Sequence, residues 1–224
     1  MEKMKNVKAV LFDLDNTLIE RGKMIAKVAH ALIRDYFSDR PDEYCFIKDA
    51  FCECFESGYV KNEDCFHAFV EKVKWENAPD YLTFFKYWSF FYPFSATFIP
   101  DALDTIQRLK AKGYKVGIIT NGPIPMQNAK IDAVGFRHMF DVIVVSKAVG
   151  IEKPDPEIFL LTAEKIACTP DTCLYVGDHP RNDIFGAKQA GMQTAWMRGF
   201  ELWDDRYERA DVEIDGLAEL HRML

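Results

Sequence analysis

The chain constrains its own fold within the first twenty residues. Val10, Leu11 and Phe12, flanked by Val7 and Ala9, form an apolar run with none of the alternation of a half-exposed strand. Such a run suits a strand buried on both faces, as in a parallel sheet covered by helices on each side. It ends in Asp13-Leu14-Asp15. In extended backbone the two carboxylates point to the same side where the strand hands over to a loop, and close carboxylates repel unless a cation compensates them. A divalent ion is the obvious candidate. With that ion and a phosphate in place, Asp13 has the chemistry of a carboxylate nucleophile and Asp15 that of a proton shuttle. Thr17 offers a hydroxyl to fix the turn that presents them.

The next stretch is helical. Met24, Ile25, Val28, Leu32 and Ile33 recur at helical spacing between Arg21 and Phe37, and Asp39, Arg40 and Pro41 break the run. Further helices are expected over Asp42 to Glu56, stopping at Ser57 and Gly58, over Asn62 to Val73 with Asn62 as cap, and over Asp80 to Phe91. No strand pattern intervenes, so residues 20–96 read as an α-helical domain inserted after the first strand, with 1–19 and 97–224 forming one core domain. The segment Tyr81 to Phe98 is dense in aromatic rings. Most are expected to fill the helical core, leaving one or two to line a substrate pocket.

From Pro100 onward helix and strand patterns alternate. Strands are expected at Tyr114 to Thr120, Val142 to Val145, Cys173 to Val176, Gln193 to Met197 and Val212 to Ile214. Helices fall at Pro100 to Leu109, Pro125 to Val134, Pro156 to Ile166, Asn182 to Ala190 and Leu217 to Leu224. This is the pattern of an α/β fold, a doubly wound parallel sheet.

Composition removes several classes of function. A formal net charge of −7 leaves no basic footprint for nucleic acid or anionic membrane. No apolar run approaches the ~18 residues of a membrane span, and the opening MEKMKN is no apolar signal segment, so a cytoplasmic location is expected. Six cysteines without a zinc-type pattern read as reduced, mostly buried thiols.

Ligands of such sheets bind beyond the carboxyl ends of the strands. Thr120, Asn121 and Gly122 follow one strand there and can donate hydrogen bonds to phosphate oxygens. Lys153, before Pro154, can reach back to neutralise a nucleophile and a phosphoryl group. Asp178 closes the strand YVGD, and Asp183 follows five residues on. In order, DLDNT, ITN, KPDP and GDHPRND resemble the four motifs of the haloacid dehalogenase (HAD) superfamily.

The resemblance implies a Rossmann-like HAD core with a helical cap in the C1 position, and a Mg²⁺-dependent phosphatase of small-molecule phosphate esters, nucleotide or sugar phosphates. By residue it implies Asp13 as nucleophile and metal ligand, Asp15 as acid/base with its backbone carbonyl on the metal, and Thr120 and Asn121 as phosphate binders. Lys153 becomes the charge-balancing cation, Asp178 a direct metal ligand and Asp183 a partner orienting the metal's water or the lysine. A β-phosphoglucomutase-type mutase shares this chemistry. A 2-haloacid dehalogenase lacks the aspartate found here at Asp15, and a receiver-type phospho-acceptor module lacks the helical insertion.

Overall fold

The computed structural model describes residues 4–56 and 60–224. It divides into two units, one made of the residues up to Ile19 together with Phe98–Leu224, the other of Glu20–Thr97. In the first, strands β1 (Ala9–Phe12), β2 (Lys115–Thr120), β3 (Val142–Val145), β4 (Cys173–Gly177), β5 (Gln193–Met197) and β6 (Val212–Ile214) form one sheet in the order β3-β2-β1-β4-β5-β6. All neighbouring pairs are parallel. Ala9, Val10, Leu11 and Phe12 are fully buried although successive side chains point to opposite faces, so both faces of β1 are covered. This is the α/β, doubly wound sheet that the apolar runs demand.

The second unit is built from α1 (Arg21–Tyr36), α2 (Tyr44–Phe55), α3 (Asn62–Val73) and α4 (Tyr81–Phe94). The buried stripe of α1, Met24, Ile25, Val28, Ala29, Leu32 and Ile33, repeats with the helical period. A 3₁₀ turn, Pro41–Glu43, precedes α2, and the stop expected at Ser57 and Gly58 lies outside the described residues. Asn62 is not a cap: it is the first helical residue of α3, and Lys61 before it gives no side-chain bond. Asp80 does cap α4, accepting from the Thr83 N–H at 3.0 Å. That helix runs past the expected Phe91 in spite of Pro93 in its last turn, and the Ser95 N–H still reaches the Phe91 carbonyl at 3.0 Å.

Rings fill this unit. Trp88 stacks on Phe55 at 4.8 Å and on Tyr92 at 4.4 Å, and Phe66 stacks on Phe84 at 4.6 Å. Arg21 holds the end of α2, donating to the carbonyls of Phe55 and Glu56 and to the Tyr92 hydroxyl. Phe90 and Phe94 stay about two-thirds exposed, at 64% and 66%. The cysteines depart from expectation: only Cys65 and Cys173 are buried, because the others lie on half-exposed or exposed faces. No helix among the described residues is long and apolar enough to cross a membrane.

The remaining helices of the sheet unit are α5 (Ala102–Ala111), α6 (Ile124–Ala133), α7 (Ser146–Val149), α8 (Pro156–Lys165), α9 (Gly186–Gln189) and α10 (Leu220–Met223). Ile158 and Phe159 of α8 and Ala187 of α9 pack with Leu11, Ile119 and Tyr175 in one apolar cluster. Helix α9 is preceded by a wide π-type turn, Pro180–Phe185, so the helical segment starts two residues before the expected Asn182. The His179 ring causes this, accepting from the N–H groups of Arg181 and Asn182 through Nδ1.

Because Trp88 is buried among Phe51, Phe55, Phe84 and Tyr92, Trp88→Ala is expected to destabilise the helical unit by about 3–5 kcal/mol. Phe90→Ala, at an exposed ring, is expected to stay within about 0.5 kcal/mol of the parent chain. Denaturant titration followed by far-ultraviolet circular dichroism checks both.

Candidate active site

Strand order reverses at β1, which lies between β2 and β4, and a crevice opens beyond the carboxyl ends of strands at such a reversal. Asp13 leaves β1 there, its N–H donating to the Val176 carbonyl at 2.9 Å. The turn that follows is made by backbone. The N–H groups of Leu18 and Ile19 both reach the Leu14 carbonyl at 3.0 Å, Asn16 donates to Ile19 at 2.7 Å, and Asn16 takes a left-handed φ of 57°. Thr17 does not fix it. Its buried hydroxyl has no hydrogen-bond partner, because main-chain groups already close the turn.

Lys153 gathers the carboxylates. Its buried ammonium lies 2.5 Å from Asp13 Oδ1, 2.6 Å from Asp183 Oδ1 and 3.1 Å from the Tyr175 hydroxyl. Burial opposes its charge, but the carboxylates of Asp13 and Asp183 outweigh this and hold its pKa above the usual lysine value. Asn121 fixes the backbone of this lysine from both sides, its Oδ1 accepting from the Lys153 N–H and its Nδ2 donating to the Lys153 carbonyl, each at 2.9 Å. Asp183 is spent within the protein. Besides Lys153, its Oδ1 accepts from Tyr175 at 3.2 Å, and its Oδ2 accepts from the His179 N–H at 3.0 Å. Gly177 permits this packing, since a Cβ there would sit 2.4 Å from Asp183 Cγ.

Asp178 completes the group, its carbonyl accepting from Trp196 Nε1 at 2.7 Å. One carboxylate oxygen from each of Asp13, Asp178 and Asp183 lies within 4.8 Å of the others. Burial, together with the nearby carboxylates of Asp183 and Asp13, pushes Asp178 well above the ordinary carboxylate value. Burial likewise raises Asp13, despite Lys153, from 3.8 to about 7. Three buried carboxylates face one ammonium, and their donors are hard oxygens. Hard oxygen donors of this kind suit a small divalent cation, which Asp13 and Asp178 could hold while Asp183 is already committed to its neighbours.

Asp15 goes elsewhere. Lys130 of α6 places its Nζ 2.8 Å from both carboxylate oxygens, and Gln127, one turn earlier, donates to Oδ2 at 3.2 Å and to Thr120 Oγ1 at 2.5 Å. The repulsion expected between Asp13 and Asp15 is therefore answered by two separate lysines. Among the described residues, Lys130 and Lys153 are the lysines that are buried, and each closes on one aspartate of the opening motif. Gln127, Lys130 and Tyr175 escaped the reading of the sequence. A signal existed for α6, since its buried face consists of Gln127, Lys130 and Ile131, and an amide and an ammonium in core positions require partners.

The sequence matches the family model for haloacid dehalogenase-like hydrolases over residues 7–191. Glyceraldehyde 3-phosphate phosphatase of Methanothermobacter thermautotrophicus is 31% identical over 94% of this chain and 93% of its own. The enzyme of the same name from Methanopyrus kandleri is 29% identical over 96% and 95%. Among solved structures, the magnesium-bound HAD hydrolase YfnB of Bacillus subtilis superposes with a TM-score of 0.75 at 25% identity, covering 98% of this chain and 99% of that one.

The raised carboxyls make stability depend on pH. Asp13 binds its proton more tightly folded, near pH 7, than at the 3.8 of an unperturbed aspartate, so its contribution is full below about pH 4 and lost as pH rises through about 7. Asp178 shifts in the same direction. The metal-free protein is expected to melt at falling temperatures from pH 5 to pH 8, and saturating Mg²⁺ to flatten that slope, as read by thermal melts in chelator and in Mg²⁺. A melting temperature that climbs with pH in chelator would contradict the assignment.

Proposed function

The chain belongs to the haloacid dehalogenase-like hydrolases, and within that family we propose that it is a Mg²⁺-dependent phosphatase of small phosphate monoesters, acting through a phosphoryl group carried on Asp13. The observation that carries this reading is the Lys153 ammonium, 2.5 Å from Asp13 Oδ1 and 2.6 Å from Asp183 Oδ1, beside Asp178 at the strand-order reversal. It orients one carboxylate and balances charge where phosphate would add more.

An Asp13 oxygen attacks phosphorus and the ester P–O bond breaks, the departing alkoxide taking a proton from Asp15. Water then gives its proton to Asp15 and attacks the same phosphorus, breaking the Asp13–phosphorus bond and releasing inorganic phosphate. Thr120 fits a phosphate-binding role, since its hydroxyl accepts from Gln127 and keeps its own proton to donate. Asn121 acts on phosphate chiefly through Lys153, whose backbone it clamps. Mg²⁺ bound at Asp13, Asp178 and the Asp15 carbonyl would supply Lewis-acid charge at the phosphoryl oxygens. Asp183 holds Lys153.

Asp15 favours phosphatase over 2-haloacid dehalogenase, because a departing halide needs no proton and an alkoxide does. The helical unit Glu20–Thr97 takes the part of a C1 cap that selects substrate. Two relatives named glyceraldehyde 3-phosphate phosphatase, each matched over nearly its whole length, support a short sugar phosphate as the first ester to test.

The test is a panel of triose, hexose and nucleotide monophosphates together with nitrophenyl phosphate, assayed with Mg²⁺ and after exhaustive chelation. Turnover of nitrophenyl phosphate and at least one small sugar phosphate is expected with Mg²⁺ and lost without it. Undiminished turnover in chelator, or turnover confined to haloacids, would overturn the reading.

A further inference from the structure

Helix α6 is unusual in what it buries. Its core-facing positions carry Gln127 and Lys130, each 2% exposed, where a helix packed in such a unit ordinarily places apolar side chains. A buried ammonium is costly without a close anion, and the anion here is Asp15. Lys130 Nζ lies 2.8 Å from both carboxylate oxygens, so the carboxylate turns both of them toward the ammonium. Gln127 adds a third point at Oδ2, 3.2 Å away.

The orientation of the Gln127 amide is set when Asp15 is ionised. A carboxylate only accepts, so Nε2 must face Asp15, and the same nitrogen donates to Thr120 Oγ1 at 2.5 Å. Gly122 lets the loop after β2 close over this side chain, since a Cβ there would lie 3.1 Å from Gln127 Cδ at a φ of +142° that side chains rarely adopt. The backbone under Asp15 is also set, through its bridge to Ile19. The carboxylate, the Thr120 hydroxyl and two side chains one helical turn apart thus form a single connected network.

We propose that Lys130 and Gln127 are positioning residues of the phosphatase: they lock the direction of the Asp15 carboxylate relative to Thr120, and so set the geometry in which Asp15 exchanges a proton with the leaving group. This rests on the reading of Asp15 as leaving-group acid. Neither residue touches substrate in this account. Their effect on the reaction passes through Asp15 and, for Gln127, also through Thr120.

A positioning role has a kinetic signature that a purely structural one lacks. In the full chain with Mg²⁺, Asp15→Asn is expected to lose about 10²- to 10⁴-fold in kcat on an alkyl phosphate such as glycerol phosphate, and less on nitrophenyl phosphate, whose leaving group departs without a proton. Lys130→Met is expected to follow the same pattern, losing about 10²-fold on the alkyl ester from misplacement of the acid, less on the aryl ester, with KM little changed. Lys130→Arg is expected to recover part of the loss. Placed in the Asp15→Asn background, Lys130→Met should cost no more than about 2-fold further, because the group it positions is already disabled.

Equal losses on the two esters, or the full loss repeated in the Asp15→Asn background, would overturn the proposal and leave Lys130 a structural cation. If thermal melts show that Lys130→Met does not fold, Gln127→Met carries the test with Lys130 intact. Its kcat is expected to fall more on the alkyl than on the aryl ester while KM rises through Thr120, and an equal fall on both contradicts the proposal. Turnover by the unchanged chain reads the phosphatase assignment separately, so failure of one reading is not mistaken for failure of the other.

Discussion

The structure depends on concentrating negative charge at the exit of one buried strand and offsetting part of it with two buried lysines. Lys153 reaches Asp13 across 140 residues of sequence and Lys130 reaches Asp15 across 115. Each ammonium has left water, so each must hold its carboxylate closely, and removing one partner from a buried pair of this kind typically costs about 3–5 kcal/mol. The apolar strand β1 makes the arrangement possible by placing both aspartates beyond an end of the sheet where β2 and β4 flank it. Asn121, Tyr175 and Asp183 hold Lys153, and Gln127 and Thr120 brace the other side.

This division gives the two aspartates different environments although they stand two residues apart. Asp13 is buried among carboxylates and is raised to about 7 despite its lysine, the condition in which a bound divalent cation has most to offer. Asp15 is partly exposed, with 22% of its side chain open to solvent beside a Lys130 that is itself 3% open. A nucleophile needs enclosure and charge balance, whereas a proton carrier needs access to both leaving group and water. One turn, closed by main-chain hydrogen bonds around a left-handed Asn16, would serve the two roles proposed for these aspartates.

Much of this was legible in the sequence because it is written in local patterns. Runs such as Val142 to Val145 and Cys173 to Val176 read as strands since nothing polar interrupts them, and polar residues at strand ends marked where Asp13, Thr120 and Asp178 would stand. What stayed hidden were the partners. That Gln127 would reach from α6 to Asp15, or that the Tyr175 hydroxyl would meet Lys153, depends on how distant segments pack. Thr17 and Asn62 show the converse: residue types with a strong local preference lost their expected roles when backbone hydrogen bonds, or a helix start one residue earlier, supplied what they offered. The aromatic stretch divided as packing required, with Phe84, Trp88 and Tyr92 inside the helical unit and Phe90 and Phe94 outside.

The claim on which the rest turns is that Asp13 forms a covalent bond to phosphorus, and it is tested most directly by trapping that bond. In Asp15→Asn, acid quenching during turnover of nitrophenyl phosphate with Mg²⁺, followed by peptide mass spectrometry, is expected to place a hydroxylamine-labile phosphoryl group on the peptide bearing Asp13, with none in Asp13→Asn. Turnover that proceeds in Asp13→Asn, or a phosphoryl group found on another residue, would contradict the account.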